Sequence, residues 1–136
     1  MEQNSSLDCD VIIVNYNAGG VLTECVKSAL VEQVRHVFVV DNGSHDASLA
    51  NMMDSINDIR VNLIQNGQNL GFAAASNIGA RASNAGTLLF LNPDSLLHED
   101  SLYRMMDVLG SNPSIGMVGG FLCNTDGSEQ PGGRRI

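Results

Sequence analysis

Tryptophan is absent and only 4% of the 136 residues are aromatic, so a hydrophobic core must be built from aliphatic side chains. Cysteine is scarce too. Cys9, Cys25 and Cys123 are odd in number, widely spaced and without a C-x-x-C pair, which excludes a disulfide framework or a zinc site and leaves buried free thiols as the expectation. Cations are few, 7 Lys and Arg against 15 Asp and Glu, for a formal net charge of −8. That field repels phosphate backbones and excludes nucleic acid as a partner. A phosphorylated ligand would have to be held by backbone N–H groups, a metal ion or a few placed cations. No apolar run approaches the ~18 to 20 residues that cross a bilayer, and the polar start of the chain lacks the basic and apolar regions of a signal peptide, which predicts a cytoplasmic chain. Neither G-x-x-x-x-G-K-[ST] nor G-x-G-x-x-G occurs, which argues against a P-loop nucleotidase and a dinucleotide-dependent dehydrogenase.

What is present is an alternation. Short β-branched apolar runs, Val11-Ile12-Ile13-Val14, Val37-Phe38-Val39-Val40, Val61-Asn62-Leu63-Ile64 and Thr87-Leu88-Leu89-Phe90-Leu91, with a weaker fifth at Gly116-Met117-Val118-Gly119, alternate with segments of helical period. Leu22, Cys25, Val26, Ala29 and Leu30 mark one helical face, and Leu102, Met105, Met106 and Leu109 another, with Gly110 placed to end it. Further helices are predicted over 48–57, with Ser44 or Asp46 as the candidate cap, and over 71–83. This pattern predicts an α/β fold, a mostly parallel sheet with helices on both faces and most strands buried on both sides. Residues 1–9 are expected to be a flexible tail, 10–125 the folded portion, and 126–136 a second tail.

In open α/β sheets, ligands bind beyond the carboxyl ends of the strands. Here those ends run into Asn15-Tyr16-Asn17, Asp41-Asn42-Gly43-Ser44, Gln65-Asn66-Gly67-Gln68-Asn69 and Asn92-Pro93-Asp94-Ser95. Each alone is an ordinary turn sequence. Four along one edge amount to a set of amides and carboxylates suited to a base, a ribose and a cation. The stretch from Asn69 through Gly71, Phe72 and three alanines to Asn77 puts small residues at a helix start, either to let a phosphate approach the free N–H groups or to pack the helix tightly on the sheet. Asp94 follows a strand and a proline. A single well-placed carboxylate can serve magnesium, whose other positions go to water and substrate phosphates.

These motifs, in this order from Asp10 onward, resemble the inverting GT-A glycosyltransferases of family 2, especially the rhamnosyltransferase-like members. The resemblance implies that Asn15, Tyr16 and Asn17 line the nucleoside site with Asn42 and Ser44, that Asp41 bonds the base or ribose, and that Asn69, Gly71, Phe72 and Asn77 border the nucleotide and its diphosphate. Asn92-Pro93-Asp94 stands where the family has D-x-D, which makes Asp94 the expected ligand of Mg2+ or Mn2+, with Asn92 beside the donor. Two departures stand out. Many relatives carry Asp in place of Asn92, and many carry Arg near the position of Ser76.

The implied reaction transfers a sugar, rhamnose in the subgroup resembled, from a dTDP or UDP sugar to a glycan or lipid-linked acceptor in cell-surface polysaccharide synthesis. Family members are much longer, so the chain is expected to stop before the acceptor-binding half. Asp126 to Gln130 with Arg134 and Arg135 resembles the segment leading toward that half. The general base has no counterpart that can be assigned among the late carboxylates Asp126 and Glu129. Surface left uncovered by a missing half predicts a homodimer. The competing reading is a stand-alone, non-catalytic nucleotide-binding or interaction module of the same fold. A nucleotidyltransferase is a weaker third, because its basic Gly-rich loop is missing near the first strand.

Overall fold

The computed structural model describes residues 5–130, which divide into two compact units, one ending at Glu99 and the other beginning at Asp100. The first unit is α/β. Its strands β1 (Leu7–Asn15), β2 (Val34–Asp41), β3 (Val61–Gln65) and β4 (Thr87–Phe90) alternate with helices α1 (Val21–Val31), α2 (Ser48–Ser55) and α3 (Phe72–Ala82). All pairings are parallel and the order is β3-β2-β1-β4.

Because side chains alternate along a strand, the two central strands bury a different set on each face. Ile12, Val14, Phe38 and Val40 form one cluster with Ala75 of α3, flanked by Ile64, Ile78 and Leu88. Val11, Ile13, Val37 and Val39 are fully buried on the opposite face, the side of α1, which also packs against α2 and buries Leu22, Cys25, Val26 and Ala29. Burial on both faces therefore holds for β1 and β2. It fails for β3 and β4, whose residues are only half-buried or exposed because each ends the sheet.

α3 lies very close to the sheet. A Cβ on Gly79 would come within 2.6 Å of Ile12 Cγ2 and 3.0 Å of Val40 Cγ2, so only glycine permits this approach. Tight packing on the sheet holds for the later turns, where Ala75, Ser76 and Gly79 point inward, while Gly71 to Ala74 are exposed.

The second unit holds α4 (Ser101–Gly110), whose apolar stripe comprises buried Leu102 and half-buried Met105, Met106 and Leu109. A turn follows at 124–127, where Gly127 takes a positive φ of 86° and an antiparallel bridge joins Cys123 to Glu129. The fifth run, Gly116 to Gly119, forms no strand. Its glycines favour coil and Met117 is 88% exposed. Cys123 is exposed on the turn's flank, whereas Cys9 and Cys25 are buried. β1 begins at Leu7, inside the stretch expected to be a tail, since Leu7 pairs with Val34 and Cys9 with Thr87. α2 stops two residues short of 57 because Ile56 turns extended, and Gly71 caps α3 from outside it. Arg134 and Arg135 lie outside the described residues.

Candidate functional site

The chain runs from β1 outward through β2 to β3, then returns past β1 to β4. Its direction thus reverses between β1 and β4, and in open α/β sheets the crevice at the carboxyl ends beside such a reversal is where ligands bind. All four motifs end at that edge.

Asn15 anchors the first network. Its buried Nδ2 faces three acceptors, Asp41 Oδ1 at 2.9 Å, Ser48 Oγ at 2.9 Å and Ser44 Oγ at 3.1 Å. The other Asp41 oxygen accepts from the backbone N–H groups of Gly43 and Ser44, at 3.1 and 3.0 Å. Asn17, at a positive φ of 49°, donates its N–H to Ser44 Oγ and accepts at Oδ1 from the His45 and Asp46 amides. Asp46 accepts from the Gly19 amide and from Ser48, whose hydroxyl is the main reason its carboxyl sits below the ordinary carboxylate range. The β1–α1 and β2–α2 loops are therefore laced together by polar groups.

Asn42 anchors the second network. It is buried, accepts from Asn66 Nδ2 at 2.9 Å, and donates to the Gly71 carbonyl at 3.2 Å and Asn69 Oδ1 at 3.4 Å. Asn69 Oδ1 in turn accepts from the Gly71 amide. Gly43 closes the same junction: at a φ of +78°, a Cβ there would meet the Gln68 backbone at 2.9 to 3.2 Å. These contacts fix the start of α3, which has no side-chain cap and no acidic residue in its first turn. The exposed first turn thus offers backbone N–H groups of the kind that bind phosphates.

The fourth motif forms a turn closed by the Ser95 amide donating to the Asn92 carbonyl at 3.0 Å, with Pro93 and Asp94 at its two central positions. The Cys25 thiol of α1 also donates to the Asn92 carbonyl, at 3.3 Å. Burial, and then the nearby negative charge of Asp94, push that thiol up to about 12, so it keeps its proton at neutral pH. Asp94 is exposed, and among the described residues no hydrogen bond or ion pair engages its carboxylate.

The sequence-predicted residues thus fall into three kinds. Asn15, Asp41 and Asn42 are buried and bonded within the protein; Asn17, Ser44, Asn69 and Gly71 bond at the loop surfaces; Tyr16, Phe72, Asn77, Asn92 and Asp94 present exposed side chains. Asn77 belongs to neither network. Sequence reasoning named Asp46 only as a candidate cap and Asn66 only within a turn motif, and did not single out Ser48 or Cys25 for the site. The polar three were legible as turn and cap formers, whereas Cys25 read simply as part of an apolar helical face.

A family model described as glycosyl transferase family 2 matches residues 10–135. The chain belongs to glycosyl transferase family 2. This family 2 chain is 28% identical to an uncharacterized glycosyltransferase of Haemophilus influenzae over 88% of its own length and 49% of the relative's. It is also 28% identical to the N-acetylglucosaminyl-diphospho-decaprenol L-rhamnosyltransferase of Mycobacterium tuberculosis, over 93% and 45%. It therefore spans about half the length of the curated relatives it matches. Among solved structures, it superposes on the mannosyltransferase PcManGT of Pyrobaculum calidifontis, in complex with GDP-Man and Mn2+, with a TM-score of 0.69 at 21% identity, covering 79% of this chain and 34% of that one. Against S. aureus TarS in complex with UDP-GlcNAc the TM-score is 0.67 at 21% identity, covering 76% and 31%. These likenesses show a GT-A-like α/β fold.

Among the described residues, no group of three or more His, Cys, Asp or Glu side chains can hold a metal ion. The family 2 edge instead supplies Asp94, an exposed carboxylate on the turn that follows β4, and its loops 16–20, 42–47, 66–71 and 91–99 contain no Lys or Arg. That donor set fits a cation that arrives with a diphosphate and keeps water and phosphate oxygens as its other ligands. It does not fit a dedicated protein cage.

Proposed function

We propose that this chain is the donor-binding half of an inverting glycosyltransferase, taking a nucleoside diphosphate sugar at the carboxyl edge of the sheet. The observation that carries this reading is a pairing at one edge: an unbonded Asp94 carboxylate on a hydrogen-bonded turn, and an open, uncapped α3 start, with no Lys or Arg in the surrounding loops. A metal-bound diphosphate brings both missing partners, a cation for the Asp94 carboxylate and negative charge for the α3 start.

Each element has a role. The Asn15–Asp41 network shapes the floor under the nucleoside, with exposed Tyr16 and Asn17 beside it. The Asn42 network holds the α3 start, so that its N–H groups, with Phe72 and Asn77, border the diphosphate. Asp94 would hold Mg2+ or Mn2+, with Asn92 beside the donor. When bound, the ion would neutralise charge growing on the departing diphosphate. The names of relatives support a pyrimidine or guanosine diphosphate donor, and a rhamnosyl group transferred to a lipid-linked or glycan acceptor follows the Mycobacterium tuberculosis relative.

Calorimetric titration with dTDP, UDP and GDP, each with and without Mn2+ or Mg2+, tests the reading. One nucleotide is expected to bind more tightly with metal, and Asp94→Ala to abolish that gain. Binding that is absent for all three, or indifferent to metal in the unmodified chain, overturns it.

A further inference from the structure

Helix α1 has a second task beyond filling the core. The turn that carries Asp94 is fastened to this helix at both ends, by two residues three apart on one face. At the near end, the Cys25 thiol donates to the Asn92 carbonyl at 3.3 Å, the same oxygen that closes the turn with the Ser95 amide. At the far end, the Leu97 amide donates to Ser28 Oγ at 3.1 Å, and that hydroxyl donates back to the Cys25 carbonyl at 2.7 Å. The preceding residue is set by the sheet, through the Leu91 amide on the Ile12 carbonyl at 3.0 Å. Among the described residues, the other hydrogen bond recorded within 92–97 is the one that closes the turn.

Resting on the donor-site reading above, we propose that Cys25 and Ser28 are positioning residues that aim the Asp94 carboxylate at the metal–diphosphate, acting through the backbone of 92–97. The spacing supports this. Residues i and i+3 share a helix face, the Cys25 face is already directed at the sheet, and the hydroxyl of Ser28 serves as acceptor and donor together. Core packing alone asks for an apolar side chain at position 25 and nothing at position 28. Bonds from both to one six-residue segment are what a tether requires.

The test uses the full chain with UDP and dTDP, titrated calorimetrically with and without MnCl2, in Cys25→Ala and Ser28→Ala beside Cys25→Ser and Ser28→Thr. The ratio of affinities with and without Mn2+ is expected to fall about fivefold in each alanine variant, the loss of one hydrogen bond's worth of placement. Affinity without metal should stay the same. Ser28→Thr, which keeps the hydroxyl, should restore the ratio, and Cys25→Ser should restore part of it. Amide exchange at Leu97 should quicken in Ser28→Ala. A full Mn2+ gain in both alanine variants, or unchanged exchange at Leu97, overturns the positioning role and leaves the donor site standing. An unmodified chain with no Mn2+ gain overturns both.

Discussion

The two ends of the parallel sheet treat charge in opposite ways. At the amino end three carboxylates have close partners: Asp8 meets Arg35 at 3.0 Å and the Gly86 amide, buried Asp10 accepts from Ser83 and faces His36 Nδ1 at 3.2 Å, and Asp58 grips Arg60 at 2.8 Å. At the carboxyl end the partners of Asp41 and Asp46 are neutral amides and hydroxyls, and Asp94 has neither a hydrogen bond nor an ion pair among the described residues. The carboxyl end leaves charge unbalanced where a ligand would balance it, which is the electrostatic difference expected between a structural rim and a binding rim.

That contrast can be broken by substitution. The largest effect is expected from Gly43→Val, which drives a branched side chain into the Gln68 backbone at a positive φ; it should cost about 3 kcal/mol in urea unfolding and abolish nucleotide binding, because two binding loops separate. Asp10→Ala, at the opposite end, should cost about 2 kcal/mol while leaving the Mn2+-dependent nucleotide affinity intact. Asp94→Ala inverts that outcome: stability should stay within about 0.5 kcal/mol of the parent, since no bond is lost, while the metal dependence disappears. If Asp94→Ala destabilised as much as Asp10→Ala, the two ends would not differ in the way described.

The smallest effect sharpens the amino end. Arg60's side chain, then its amide, bond Asp58 and hold that carboxyl down at about 2, below its ordinary 3.8. A folded-state value below the unfolded one means that the pair's contribution is complete above the unfolded value and fades as pH falls toward the folded one. Carboxyl NMR should show Asp58 titrating near 2 in the parent and moving up in Arg60→Ala. Titration of Asp58 at 3.8 in the parent would show that the pair does not hold in solution.

Much of the architecture was legible because its signals are local. Val11 to Val14 and Val37 to Val40 carry the apolar, β-branched character of doubly covered strands, and α1 carries its buried face at helical spacing. The weak run at Gly116 to Gly119 misled because two apolar residues between glycines meet a strand pattern without the length to pair. Exposure of Cys123 was equally unreadable, since it depends on where a turn places its flank.

At the site the division is similar. The motifs named the residues at the edge, but could not say which would face a ligand. Asp41 and Asn42 look like free polar groups in the sequence; the fold turns both inward, where they hold loops together. Ser48 entered from outside the motifs, and Asn66 joined Asn42 from the neighbouring one.

By itself, the sequence determined the alternation of strands and helices, the family and the edge where chemistry would gather, because periodicity and motif order reside in consecutive residues. Only the tertiary structure decided that Asp94 stands free while Asp10 and Asp41 do not, and that Cys25 reaches the Asn92 carbonyl 67 positions away. Such partnerships join distant segments, and they come into being only when the sheet brings those segments side by side.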